Sequence, residues 1–155
     1  MKKILLIDDS DTYTWCLQKY LQHRGYPVKT ASTLEEARAV IQEEMPLVVC
    51  CDLDLPDGSG MDFLDEVRIT DKKLPFILAS CHDKDDYEQE AMRRGATLCM
   101  DKMKGSLLQD KLVEYASTGS CPAKRPRLFT SCSLSMRKIP VPECCGRLCC
   151  KRALT

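Results

Sequence analysis

Over the first 116 positions, runs of apolar residues alternate with segments whose apolar residues recur every three or four places. Short continuous runs predict buried strands, and the three-to-four spacing predicts helices with one buried face. The runs predict five strands, over residues 4–7, 28–32, 47–52, 75–80 and 97–101. The spaced segments predict five helices, over residues 14–23, 34–44, 61–68, 84–94 and 106–115. This strict alternation predicts an α/β fold with a parallel sheet.

Residues that commonly start or end helices lie at the edges of these segments. Gly25 and Gly95 follow two of the predicted helices. Asp83 precedes another as a predicted N-cap, and Thr33 with Glu36 has the spacing of a capping box. Several predicted strands are apolar at every position, which is typical of a sheet covered by helices on both faces. The sequence therefore predicts a doubly wound, five-stranded parallel sheet.

Charge divides the chain near residue 117. The formal net charge of the chain is zero, but the charges are unevenly distributed. Residues 1–116 contain 15 basic and 22 acidic residues, whereas residues 117–155 contain eight basic residues and one acidic residue. The two parts therefore carry about −7 and +7. Residues 117–155 also contain four of the eight prolines and show no periodicity, a composition typical of loop or disorder. The sequence predicts one domain over 1–116 and an unstructured, basic, Cys- and Pro-rich tail over 117–155, too short for a DNA-binding output domain with its own core.

Neither a membrane span nor a signal peptide is indicated. The longest apolar run, residues 47–51, is far shorter than the ~20 residues that cross a bilayer. The apolar stretch after the basic N-terminus ends after four residues, at Asp8. We therefore expect a cytoplasmic protein without membrane insertion, in a reducing compartment where its 11 cysteines form no permanent disulfides. Cys50 and Cys51 are adjacent in a predicted strand and are expected to be core residues on opposite faces.

The tail leaves three interpretations open. Four cysteines of the tail could bind zinc or a soft metal as thiolates: Cys144, Cys145, Cys149 and Cys150. Their spacing, CC-x₃-CC, differs from the separated cysteine pairs of most zinc sites. Its basic residues could contact an acidic partner or nucleic acid, but no aromatic stacking platform accompanies them, so a nucleic-acid partner is not expected. The third interpretation is an unstructured extension without a dedicated role, including an out-of-frame one.

Polar and charged residues end four of the predicted strands. In chain order these residues are Asp8 and Asp9, Asp52, Ser80 and Lys102. In a sheet of strand order 2-1-3-4-5, strands one and three are neighbours at the switch point, where ligands bind beyond the carboxyl ends. Three carboxylates gathered there would repel one another, and Mg²⁺ would relieve that repulsion. The pattern indicates a Mg²⁺ site, with solvated strand-end acids as the alternative.

Over residues 1–116 the chain resembles the receiver domain of two-component response regulators. Four stretches carry the resemblance by their order and separation: Ile7-Asp8-Asp9-Ser10, Cys51-Asp52-Leu53-Asp54-Leu55-Pro56-Asp57-Gly58-Ser59-Gly60, Leu74-Pro75-Phe76-Ile77-Leu78-Ala79-Ser80, and Gly95-Ala96 leading to Lys102. The resemblance implies a CheY-like, flavodoxin-like fold with strand order 2-1-3-4-5. It also implies a phosphoacceptor aspartate, which is Asp52 and not Asp54, because Leu-Pro follows Asp52 at the required three and four residues.

The resemblance assigns further roles around Asp52. Asp9 and Asp52 would ligate Mg²⁺ directly with the backbone carbonyl of Asp54, while Asp8 would act mainly through water. Ser80 would hydrogen-bond a phosphoryl oxygen. Lys102 would pair with the phosphoryl group or with the Asp52 carboxylate.

Four further positions bear on the switching of such a domain. Asp54 and His82 would flank the path of the attacking water and tune the lifetime of the phosphorylated state, although the favoured interpretation of His82 itself is a solvated loop residue. Met103 stands where the family usually has proline after the lysine, so that peptide bond is expected to be trans. Cys99 stands at the switch position where the family has an aromatic residue, and a small buried thiol is expected there instead.

The resulting expectation is a single-domain response regulator. It would receive a phosphoryl group from a sensor histidine kinase or a histidine phosphotransfer protein, and it would signal by contact with an unidentified downstream protein. It would take part in its own phosphorylation and slow dephosphorylation without being a conventional enzyme. Two alternatives remain: a pseudo-receiver that binds partners without phosphorylation, and a haloacid dehalogenase-type phosphohydrolase using Asp52 and Asp54.

Overall fold

The computed structural model describes residues 2–118, and the predictions made for residues 119–155, including the cysteine cluster, lie outside the described residues. The strands are β1 (Ile4–Ile7), β2 (Val28–Ala31), β3 (Val48–Asp52), β4 (Asp54–Leu55), β5 (Gly58–Ser59), β6 (Phe76–Ser80) and β7 (Leu98–Asp101). The helices are α1 (Asp11–His23), α2 (Leu34–Glu43), α3 (Gly60–Thr70), α4 (Lys84–Arg94) and α5 (Gly105–Thr118). A 3₁₀ turn, Lys102–Lys104, joins β7 to α5. All ten predicted elements are therefore present.

Five of the strands form one parallel sheet in the order β2-β1-β3-β6-β7. This is the predicted order 2-1-3-4-5, because β4 and β5 pair only with each other, antiparallel, with Asp54 opposite Ser59. The sequence predicted no strand between residues 52 and 61, because two residues a side are too short to show a strand period. The short hairpin lies directly after the end of β3 and shapes the loop that follows Asp52.

Helices cover both faces of the sheet, as the continuous apolar strands predict. Alternate residues of β1 enter different cores: Leu5 and Ile7 pack in the cluster with α2, α3 and α4, and Ile4 and Leu6 in the cluster with α1 and α5. Burying a side chain of this size contributes about 1.5–3 kcal/mol. The expectation for the adjacent cysteines of β3 is also confirmed, because Cys51 belongs to the first cluster and Cys50 to the second.

Side-chain caps start helices α2 and α4. The side chain of Thr33 accepts from the amide of Glu36, and that of Asp83 accepts from the amide of Asp85, as the two predicted caps require. Helix α1 begins at Asp11, three residues before the predicted start. The reason is that the first two residues of α1, Asp11 and Thr12, are polar and exposed, so no apolar period marks the start of the helix.

Candidate functional site

Three carboxylates meet where β1 and β3 end side by side. The parallel register pairs Ile7 with Cys51, so the residues that follow each of these, Asp8 and Asp52, are also neighbours. One oxygen from each of Asp8, Asp9 and Asp52 can be chosen so that all three lie within 4.8 Å of one another. Asp8 and Asp52 are buried and Asp9 is exposed, so the cluster is open to water on one side. The structure therefore brings the three predicted acids together.

Lys102 places its ammonium group between two of these carboxylates. Its Nζ lies 2.5 Å from Asp8 Oδ2 and 2.7 Å from Asp52 Oδ2, and its side chain is 10% exposed. Pairing with Asp52 was expected, whereas the equally close contact with Asp8 was not. Lys102 begins the turn after β7, where the Asp101 side chain accepts from the amide of Met103 at 2.8 Å. The peptide bond between Lys102 and Met103 is trans, as predicted.

Burial and charge act against each other at this ion pair. Burial raises the pKa of Asp52 and outweighs the opposing effect of the hydrogen bond and charge of Lys102, so the net shift is upward. Burial alone would lower the pKa of Lys102, but its hydrogen bonds to Asp52 and Asp8 prevail and raise it. The cluster thus retains an excess of negative charge that a further cation would stabilise.

The residues at this site fit Mg²⁺. Carboxylate oxygens with access to water are the ligands that this ion prefers, and the acidic cluster, which is open to water on one side, offers three carboxylates. Of the two acids predicted to bind the ion directly, Asp9 is exposed and Asp52 is 9% exposed, and the bound ion would supply positive charge beside both carboxylates. The ligand roles of Asp8, Asp9, Asp52 and the Asp54 carbonyl all stay predictions from the resemblance.

Ser80 and His82 lie at the end of β6, the strand next to β3. The register pairs Asp52 with Ala79, so Ser80 is one residue further along the neighbouring strand. Ser80 is 1% exposed, and its Oγ accepts a hydrogen bond from the amide of His82 at 3.1 Å. His82 Nε2 lies 2.5 Å from Asp54 Oδ2, with both side chains more than half exposed. This contact joins the loop after β3 to the loop after β6, beside Asp52.

Gly60 is a site residue that the sequence indicated only as part of a turn. It begins α3, and its amide donates to the carbonyl oxygen of Leu53 at 2.8 Å. A Cβ at this position would lie 2.2 Å from the backbone oxygen of Asp52. Real side chains do not approach that closely, so a glycine lets the start of α3 pack against the backbone of the predicted phosphoacceptor.

Asp57 and Tyr13 are two further residues near the site without a recognisable sequence signal. The Asp57 carboxylate accepts from the amides of Leu34 and Glu35, at 2.9 and 3.0 Å, and so caps α2 from the loop after Asp52. Hydrogen bonding from the Leu34 amide lowers the pKa of Asp57. The ring centroid of Tyr13 lies 5.1 Å from the ammonium nitrogen of Lys102. These contacts join residues that are far apart in the chain, which local pattern cannot show.

Cys99 is buried in β7, as expected for the predicted switch position. It is 2% exposed, and burial raises the pKa of its thiol to about 11. It lines an open cleft between α4 and α5 together with Leu107 and Lys104. A protonated thiol of this kind is a poor nucleophile at neutral pH.

Within residues 2–118, none of the helices combines the length and apolar character that a membrane crossing demands.

Comparisons with known proteins agree with the fold. The model of the response regulator receiver domain matches residues 4–114. The chain is 31% identical over 101 residues to the alkaline phosphatase synthesis transcriptional regulatory protein PhoP of Bacillus subtilis, covering 65% of this chain and 42% of that protein. It is 30% identical over 94 residues to the alginate biosynthesis transcriptional regulatory protein AlgB of Pseudomonas aeruginosa, covering 61% of this chain and 21% of that protein. The chain thus spans less than half the length of these curated relatives.

Solved structures show the same likeness. The receiver domain of NtrX from Brucella abortus is 27% identical, with a TM-score of 0.66 over 76% of this chain and 97% of that one. The beryllofluoride-activated receiver domain dimer of NtrC4 is 30% identical, with a TM-score of 0.65 over 74% of this chain and 99% of that one. The family model covers well over half of the chain, so this protein belongs, through residues 4–114, to the response regulator receiver domain family.

Proposed function

We propose that this chain accepts a phosphoryl group on Asp52, with Mg²⁺, in a two-component phosphorelay. The observation that supports this most directly is the Lys102 ammonium group lying between the carboxylates of Asp8 and Asp52. Family membership supports the class of reaction, because receiver domains are signalling domains and not conventional enzymes. The donor would be a sensor histidine kinase or a histidine phosphotransfer protein. The haloacid dehalogenase-type alternative has no support from the matched family.

In the proposed reaction, a carboxylate oxygen of Asp52 attacks the phosphorus of a phosphohistidine. The P–O bond forms as the P–N bond breaks, and the imidazole leaves. Lys102 is already 2.7 Å from Asp52 Oδ2, so its charge would offset the charge of the arriving group. The buried hydroxyl of Ser80 would donate to a phosphoryl oxygen.

The metal ligands in this proposal are the three clustered acids and one backbone carbonyl. Asp9 and Asp52 would hold Mg²⁺ directly with the carbonyl of Asp54, and Asp8 would act mainly through water. The bound ion would supply positive charge to the transferred group. Because burial raises the pKa of Asp52, this charge would also favour the ionised carboxylate that attacks.

The state would reset when water hydrolyses the acyl phosphate on Asp52. We propose that the contact between His82 and Asp54 tunes this step, because it joins the two loops beside Asp52 at a separation of 2.5 Å. The signal would pass by protein contact to a downstream target. The cytoplasmic location, the action as a single-domain regulator and the division at residue 116 stay predictions from the sequence.

Incubation with acetyl phosphate and Mg²⁺, followed by intact mass measurement, tests the proposal. We expect a gain of ~80 Da that is lost in Asp52→Asn and retained in the matched control Asp54→Asn. Chelation of Mg²⁺ should also abolish the gain. Uptake that survives in Asp52→Asn would refute the assignment of the phosphoacceptor. A wild-type chain that takes up no phosphoryl group would favour the pseudo-receiver alternative.

A further inference from the structure

Among residues 2–118, the head group of Lys102 contacts two carboxylates and an aromatic ring. Besides the carboxylates of Asp8 and Asp52, its Nζ contacts the ring of Tyr13, with 5.1 Å to the centroid. Tyr13 lies in the first turn of α1 and packs against the core cluster beneath this face of the sheet. A cation over a ring at this distance is attracted by the negative face of the ring. The attraction is strongest when the cation is shielded from water, and the side chain of Lys102 is 10% exposed.

The backbone that carries Lys102 offers this side chain little support. The 3₁₀ turn Lys102–Lys104 contains no buried residue, and Met103 is 83% exposed. The position of the ammonium group therefore depends on contacts at its far end. Two of those contacts are with carboxylates that would also bind the metal or the phosphoryl group during the reaction. The contact with the ring involves no group that takes part in the reaction.

The hydroxyl group of Tyr13 does not explain the position of the ring. Its oxygen is buried and has no hydrogen-bond partner among the described residues. Burial raises the pKa of the Tyr13 hydroxyl, with a further contribution from the charge of Asp8, so the group stays a protonated and neutral donor. A buried hydroxyl without a partner is unfavourable, and its loss should be tolerated. The ring, not the oxygen, is the part that contacts the site.

We propose that the ring of Tyr13 is a positioning residue that holds the ammonium group of Lys102 against Asp52. The ring and the two carboxylates together restrict the ammonium group to one place, beside the oxygen that would receive the phosphoryl group. This inference rests on the proposed phosphorylation of Asp52 and adds to it the residue that orients the lysine. It predicts that the aromatic ring matters at position 13 and that the hydroxyl does not.

Two substitutions in the full chain separate the ring from the hydroxyl. The rate of mass gain with acetyl phosphate and Mg²⁺ should stay within about twofold of wild type in Tyr13→Phe, which keeps the ring. The rate should fall at least about fivefold in Tyr13→Leu, which removes it. Equal losses in both variants would assign the effect to the hydroxyl and overturn the proposal. Circular dichroism of each variant shows whether it has folded.

A double substitution tests whether Tyr13 acts through Lys102. In a Lys102→Ala background, Tyr13→Leu should cause no further loss of rate, because the group that the ring positions is gone. A further loss as large as the one in wild type would mean that Tyr13 acts by another route, and the proposal would fall.

A readout independent of phosphorylation distinguishes failure of this inference from failure of the proposed function. The NMR signal of the Lys102 Cε protons, assigned with Lys102→Arg, should show a ring-current shift that persists in Tyr13→Phe and disappears in Tyr13→Leu. An unchanged signal in Tyr13→Leu would refute the contact itself. If the wild-type chain takes up no phosphoryl group, the proposed function fails, and this signal alone decides the contact between Tyr13 and Lys102.

Discussion

Replacement of Gly60 by alanine should disturb the end of β3 and the reactivity of Asp52 together. Gly60 begins α3, and its added Cβ would lie 2.2 Å from the backbone oxygen of Asp52 and 3.0 Å from Leu78 Cδ2. Ordinary contact begins near 3.4 Å, so the helix start or the end of β3 must move by roughly 1 Å. The backbone oxygen cannot rotate away as a flexible side chain can.

Two magnitudes follow from that displacement. Overpacking of this kind costs about 1–3 kcal/mol of the free energy of unfolding. The smaller backbone entropy of alanine in the unfolded chain offsets about 0.4–1 kcal/mol of this. A shift of about 1 Å at a reacting group can lower a rate by about 100-fold. We therefore expect Gly60→Ala to lower the free energy of unfolding by a few kcal/mol at most and to lower the phosphorylation rate by up to about 100-fold.

Gly105→Ala is the matched control. Gly105 also begins a helix, α5, and a Cβ there meets nothing within 4 Å. This variant should be as stable as wild type or more stable by up to about 1 kcal/mol. Urea unfolding followed by circular dichroism measures stability, and mass gain with acetyl phosphate measures rate. If Gly60→Ala matches Gly105→Ala in both measurements, the close approach of α3 to Asp52 is refuted.

Three further outcomes are expected. Burial raises the pKa of Asp52, so above that pKa the ionised carboxylate lowers the stability of the folded state. Asp52→Asn should therefore raise the melting temperature at neutral pH without Mg²⁺. That gain should vanish in acid, where wild-type Asp52 is protonated, and a gain independent of pH would contradict this cause. Asp57 has a lowered pKa from the Leu34 amide, so the stability it contributes is present at neutral pH and is lost as the pH falls through that pKa. Asp57→Ala should accordingly have a lower melting temperature than wild type at neutral pH, and this difference should become smaller in acid. A difference in melting temperature that does not change with pH would contradict this cause. Since His82 and Asp54 are in contact, the effects of replacing them on the lifetime of the acyl phosphate should not add. The variants His82→Ala and Asp54→Asn and the double variant should all lose the added mass at one common rate that differs from the wild-type rate. Additive effects would show that the two side chains act separately.

The organisation of the sheet could be predicted because its signals are local. Continuous apolar runs report burial on both faces, and strict alternation with helices fixes a parallel sheet. The three acids were found for the same reason, because each directly follows or ends such a run: Asp8, Asp9 and Asp52. The motif spacing also placed Ser80 and Lys102 at the ends of β6 and β7, where the structure has them.

The contacts that shape the site could not be predicted in this way. Lys102 meets Asp52 from 50 positions away in the chain, a pairing that only the resemblance implied, and its contacts with Asp8 and the ring of Tyr13 were not expected at all. The close approach of Gly60 to the Asp52 carbonyl depends on distances of a few ångströms between α3 and β3.

The sequence by itself determined the five strands, their parallel arrangement and the set of acids at the carboxyl edge of the sheet, because burial and strand ends follow local patterns of apolar and polar residues; the order of the strands was implied by the family resemblance. Tertiary structure decided which side chains touch at that edge: the bridging position of Lys102, the aromatic contact of Tyr13 and the need for glycine at position 60. These contacts depend on strand register and on how α1 and α3 pack against the sheet. Contacts between elements that are distant in the chain produce no periodic pattern in the sequence.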